Sequence, residues 1–174
     1  TSDGNGTAWT VSYSNRLIVK WTISSTGAWT CVQSYNSPAT NLYPSGVDID
    51  EDTGKMFLLY YQSSFPNYNR YLYEVDPTNP TRINGSWLLG TREELGSTST
   101  QPGGLVVDLP KIVTNEYYRT EGYHNHFTMD GIFVERNGKI KISGGGHYGM
   151  DQLGDNTIGY QCHYSSYCSG KTNK

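Results

Sequence analysis

His124 and His126 stand one residue apart in the run Tyr123-His124-Asn125-His126-Phe127, and His147-Tyr148 follows the triple glycine Gly144-Gly145-Gly146. On a strand, alternate residues project to one face, so both imidazoles of the first run point the same way. The chemistry this spacing offers is a divalent metal held by His124, His126 and His147, with His163 and an oxygen of Asp130 or Asp151 completing the sphere. The plainer alternative is that the histidines only make hydrogen bonds among many tyrosines. Asp48, Asp50 and Asp52 alternate ahead of Gly54. A calcium loop needs glycine directly after its third acid and a glutamate at its twelfth position, which here is Leu59. These acids read instead as the cap of a hairpin tip, with Asp52-Thr53-Gly54 in the turn. No Gly-x-Ser-x-Gly nucleophile elbow occurs. The triple glycine precedes no helical pattern, so a phosphate cradle is not supported.

The remaining resource is aromatic. The chain has 15 Tyr and 4 Trp, with only 17% charged residues, where about a quarter is usual. Tyr60, Tyr61, Phe65, Tyr68, Tyr71 and Tyr73 crowd one section. Tyr117, Tyr118, Tyr123, Tyr148, Tyr160, Tyr164 and Tyr167 crowd the last third. Tyrosine presents a flat apolar face to sugar CH groups or to a partner protein, and a hydroxyl to be satisfied. With Asn, Asp and His beside it, this is the composition of a carbohydrate site or an interface core. The expected ligand-binding residues are Tyr123, His124, Asn125, His126, His147, Tyr148 and Asp151. The competing reading is that half of the tyrosines fill sheet faces.

The elements that must position these groups are strands. Trp9, Val11 and Tyr13 alternate with polar residues, as do Leu17, Val19, Trp21 and Ile23, which is the period of a half-buried strand. Gly131 to Ser143 holds Asn137-Gly138 between two runs of β-formers, which predicts a two-residue hairpin turn pairing Glu135 with Ile140 and Phe133 with Ile142. Three of the four histidines would then share one end of that hairpin. A similar layout of Gly, apolar-x-apolar, acid, turn and Lys starts at Gly46 and, more loosely, at Gly104. Thr1–Gly6 and Ser169–Lys174 read as tails, Ser97 to Pro102 as a polar loop, and Thr91 to Gly96 as the only helical turn. No stretch sustains a helical period.

Ser45 to Lys55 followed by Tyr71 to Pro77 resembles one blade of an extracellular β-propeller. In such blades an inner strand, an Asp-x-x-Thr-Gly hairpin and an outer Tyr-x-x-Asp-Pro strand follow one another. The resemblance spans about a fifth of the chain, and blades of about 40 to 50 residues leave room for at most about four.

Charge excludes some partners. Lys plus Arg number 13 against 16 Asp plus Glu, with no basic run, which argues against nucleic acid. No apolar run is long enough for a membrane-spanning helix. Cys162 and Cys168 close a short loop and read as a disulfide of an oxidising compartment, leaving Cys31 buried and free or bridged to another chain; three reduced thiols are the alternative. Asn5 and Asn84 stand in glycosylation sequons. Beginning at Thr1, the chain reads as processed or as a piece of a longer one.

The sequence therefore predicts an all-β fold with very little helix, an antiparallel β-sandwich or partial barrel built from hairpins, with propeller-like blades as the alternative. It predicts one domain over 1–174, with 97–103 as the place it would divide. The function expected is non-enzymatic extracellular recognition or adhesion through a glycan or other cell-surface ligand, with no cofactor. The alternative is a subunit that self-assembles into a filament, fibre or virion surface structure. A third reading is an enzyme using a divalent metal at the histidines.

Overall fold

The run Met56 to Tyr61 lacks the polar alternation of a strand with one wet face, and the computed structural model shows why: all six residues are buried. Met56, Leu58 and Tyr60 enter one core with Trp9, Ile18 and Val75. Phe57 and Leu59 enter another with Leu72, Leu105, Ile112 and Phe127. The two-residue period has divided one strand between two cores, so its sheet is covered on both faces.

The structure describes residues 1–63, 68–89, 101–118, 121–128, 133–141, 147–154, 157–162 and 169–173. Their strands form four antiparallel meanders in chain order. The first sheet is β1 (Thr7–Ser12), β2 (Leu17–Ile23) and β3 (Trp29–Asn36). The second is β4 (Tyr43–Ile49), β5 (Met56–Tyr61), β6 (Arg70–Asp76) and β7 (Asn79–Leu88). The third is β8 (Gln101–Asp108), β9 (Lys111–Tyr118), β10 (Glu121–Thr128) and β11 (Phe133–Lys141). The fourth is β12 (His147–Gly154), β13 (Thr157–Cys162) and β14 (Ser169–Asn173). The leading strands lie side by side in the succession β1, β4, β8, β12.

The all-β class holds, and the arrangement is that of the blade-like alternative. In a two-sheet sandwich each sheet keeps one face towards solvent. Here the second sheet lies between the first and the third, which is a stack of successive meanders as in propeller blades.

Two details explain the close approach of the second and third sheets. A Cβ built on Gly46 would lie 2.9 Å from Leu105 Cβ and 3.1 Å from Leu105 N, so β4 and β8 meet where there is no side chain. Asp48 and Asp50 then reach across: Val107 N–H donates to Asp48 Oδ2 at 2.8 Å and Leu109 N–H to Asp50 Oδ1 at 3.5 Å. Asp50 Oδ2 also accepts from the backbone N–H of Thr53 at 3.0 Å and from the Thr53 hydroxyl. Asp50 thus caps the hairpin tip, as the spacing of the acids predicted, and Asp48 and Asp50 in addition fasten one sheet to the next.

Several local expectations are corrected. Gly131–Ser143 is not a hairpin: Asn137-Gly138 lies inside β11, whose partner is β10. Between the pairs Gly122↔Ile140 and His124↔Asn137, β11 advances three residues while β10 advances two. Asn-Gly therefore supplies a bulge rather than a turn. The eight residues of β10 offer a longer ladder than β11 would gain by folding on itself. The layouts at Gly46 and Gly104 do correspond, each beginning a hairpin just past a register shift after a proline; Gly131 lies outside the described residues. The tails are strands in part, because Ser2 bridges Ala8, Trp9 N–H donates to Thr1 O, and Ser169–Asn173 is β14. Ser97 to Pro102 is not all loop, since Gln101 opens β8. The helical turn expected at 91–96 lies outside the described residues.

Candidate functional site

At one end of the first two sheets the connections converge. The turn after β1 runs Tyr13-Ser14-Asn15-Arg16, and the β3–β4 connection runs Ser37-Pro38-Ala39-Thr40-Asn41-Leu42 into Tyr43. Ser37 N–H donates to Arg16 O at 2.9 Å, and Arg16 Nη1 donates to Thr40 O. Ser37 Oγ shares a buried hydrogen bond of 2.8 Å with the Tyr60 hydroxyl, and Ala39 N–H donates to Ser37 Oγ at 3.3 Å. Burial pushes the Tyr60 phenol up to about 12, so this anchor stays protonated. The loop is thus tied down at three points before any ligand arrives.

On that base the Tyr13 and Tyr43 rings stack at 4.7 Å between centroids and 17° between planes, and the Arg16 guanidinium lies 4.4 Å from the Tyr43 centroid. A second cluster repeats the motif: Tyr61 and Tyr68 stack at 6.4 Å and 25°, with the Arg70 guanidinium 5.8 Å from the Tyr61 centroid. Arg70 Nη1 donates to Tyr68 O at 2.8 Å. The two clusters are contiguous, because Tyr43 pairs with Tyr61 and Tyr61 with Arg70 across β4, β5 and β6. Beside them Asn69 Nδ2 donates to the Tyr71 hydroxyl at 3.2 Å, and that hydroxyl donates to Gln62 Oε1 at 3.5 Å. Tyr13, Arg16, Tyr43, Tyr68, Asn69 and Tyr71 are partly exposed, whereas Tyr61 and Arg70 are buried.

Backbone strain concentrates at the same place. Arg16 has φ 53° and Tyr68 has φ 40°, the two non-glycine residues with positive φ among the described residues. Left-handed backbone costs an ordinary L-residue on the order of 1–2 kcal/mol and tends to collect where a surface is shaped for contact.

The residues singled out by sequence fall elsewhere. Tyr123, His124, Asn125 and His126 lie in β10, the third strand of the third sheet, and not on a loop. Asn125 is fully buried on the face that carries Phe127 and pairs with buried Thr114 of β9. His124 and His126 do stand two apart on one strand, as expected. His147, Tyr148 and Asp151 lie in β12 of the next sheet, where His147 pairs with Cys162. The expected hairpin end that would unite His147 with His124 and His126 therefore does not exist. Among the described residues no group of three His, Cys, Asp or Glu could hold a metal. His163 and Asp130 lie outside the described residues, as does Cys168 and so the proposed Cys162–Cys168 bridge. Cys31 is an exposed free thiol, which removes the buried alternative. Asn5 and Asn84 are both exposed.

The tyrosine–arginine clusters were missed because Tyr13 and Tyr43 are far apart in sequence. The local signal was the interruption at Asn15-Arg16, which marks a turn without naming its partner.

No protein-family model matches the chain, and no curated protein matches it. Three of the solved structures it is similar to illustrate the likeness. One is a protein from Lactobacillus plantarum, at 13% identity, covering 98% of this chain and 54% of that one with a TM-score of 0.47. The second is a candidate 6-phosphogluconolactonase from Bacteroides fragilis, at 12% identity, covering 81% and 37% with a TM-score of 0.43. The third is the Dos1 propeller, at 16% identity, covering 100% and 46% with a TM-score of 0.45. The chain spans about half or less of the length of these structures. Likeness at this level says nothing of activity.

Proposed function

We propose that this chain is a non-catalytic recognition module acting outside the cell, and that it binds glycan at the strand ends of the first two sheets. The observation that carries the reading is the coincidence of both strained non-glycine residues, Arg16 and Tyr68, with two contiguous tyrosine–arginine stacks. Partly exposed tyrosine rings offer the apolar CH faces of sugars a flat surface, and their hydroxyls, with Asn69 and Gln62, offer hydrogen bonds to sugar hydroxyls. The tied loop keeps the ordering cost of binding low.

An array of immobilised glycans probed with the whole chain tests this. The wild type should bind a restricted set of glycans, and Tyr13→Ala and Tyr68→Ala should each weaken that binding by roughly tenfold, the scale of a lost aromatic contact. Absence of binding to every glycan, or unchanged binding by both variants, would contradict it.

A further inference from the structure

We infer that the ligand carries an anionic group, a uronate or similar acidic sugar, and that Arg16 is the residue that selects it; this rests on the recognition site described above. Arg16 is partly exposed and held from two sides: its Nη1 donates to Thr40 O and its guanidinium lies over the Tyr43 ring. Its backbone carbonyl is fixed by Ser37 N–H, and Ser37 by Tyr60. A guanidinium has five N–H donors in a rigid plane, so one bond to Thr40 leaves most of the fork available.

That charge is not balanced locally. The described segments that build the site, 13–16, 37–43, 61–62 and 68–71, contain no acid, and the ion pair found among the described residues is Lys55 with Glu74, at 3.2 Å. Lys55 follows the β4–β5 turn, at the end of the sheet away from Tyr43. A fixed guanidinium over an aromatic ring matches a planar carboxylate two bonds at a time, a geometry a neutral hydroxyl cannot use equally well. The chain as a whole carries a net charge of -3, so it does not draw anions indiscriminately. Selection therefore falls to Arg16, the partly exposed arginine of the two clusters, since Arg70 is buried, with the tyrosines supplying the contact that any sugar can use.

Pairs of oligosaccharides identical except for a terminal glucuronate or glucose, titrated calorimetrically against the whole chain, separate the two claims. The wild type should favour the acidic member by roughly tenfold or more, as expected for a charge-assisted pair. Raising the salt should shrink that ratio. Arg16→Gln should bring the ratio towards one while Arg16→Lys keeps part of it, with near-UV circular dichroism confirming that each variant retains its packed tyrosines. Equal wild-type affinity for both members overturns the selection by Arg16 and leaves the recognition site standing. A preference for the acid that survives in Arg16→Gln also overturns it. No binding of either member by the wild type removes the site and the selection together.

Discussion

Asp48 shows how one buried carboxyl ties sheet to sheet and makes stability depend on pH. It is 7% exposed. Burial pushes its carboxyl up from 3.8 to about 6, against the pull of hydrogen bonds from Thr1, Val107 and Ile49 and of the nearby N-terminal charge. A carboxyl whose pKa is raised by folding favours the folded state most when both states are protonated. That contribution is whole below about 3.8 and is lost as pH rises through about 6. The shift corresponds to a loss on the order of 3 kcal/mol across the window. Chemical denaturation at a series of pH values should show this fall in the wild type and a flatter profile in Asp48→Asn, which keeps an acceptor for Val107 N–H. Identical slopes would show that Asp48 does not titrate in this window. The sequence revealed Asp50 at the hairpin tip because Asp50 and Thr53 are neighbours. It could not reveal the partner of Asp48, because Val107 lies in another sheet.

At the scale of elements, the strands with β-branched and aromatic alternation were legible and their partners were not. β1, β2, β4 and β5 follow the alternation or the apolar run that predicts them, since burial on one face or two writes itself into side-chain type. Asn137-Gly138 misled because a turn dipeptide also serves a bulge, and what decides between the two is whether another strand lies alongside. β10 does. Gly46 is the element-level counterpart: its sequence context marks the start of a hairpin, but its need for a bare Cα comes from Leu105. Gly46→Ala should cost about 1–3 kcal/mol by forcing β4 and β8 apart, read as a lower denaturation midpoint. A variant as stable as the wild type would mean that the two strands separate without cost.

At the scale of the whole molecule, the sequence showed the class and left the stacking order open. Polar loops with no shared motif carry the site, so nothing in Ser14-Asn15-Arg16 or in Pro38-Ala39-Thr40 announces that they meet. Only the succession of sheets brings Tyr13 to Tyr43 and sets Tyr61 beside them. The same succession sends Tyr123–His126 and His147–Asp151 to different sheets, a separation that spacing along the chain does not announce.

The most direct measurement is the amide and side-chain NMR map of the chain titrated with the tightest glycan from the array. Perturbations centred on Tyr13, Arg16, Tyr43, Tyr68 and Asn69 are the predicted result. Perturbations centred on Tyr123–His126 or His147–Asp151, with the first two sheets silent, would place recognition elsewhere and contradict the account.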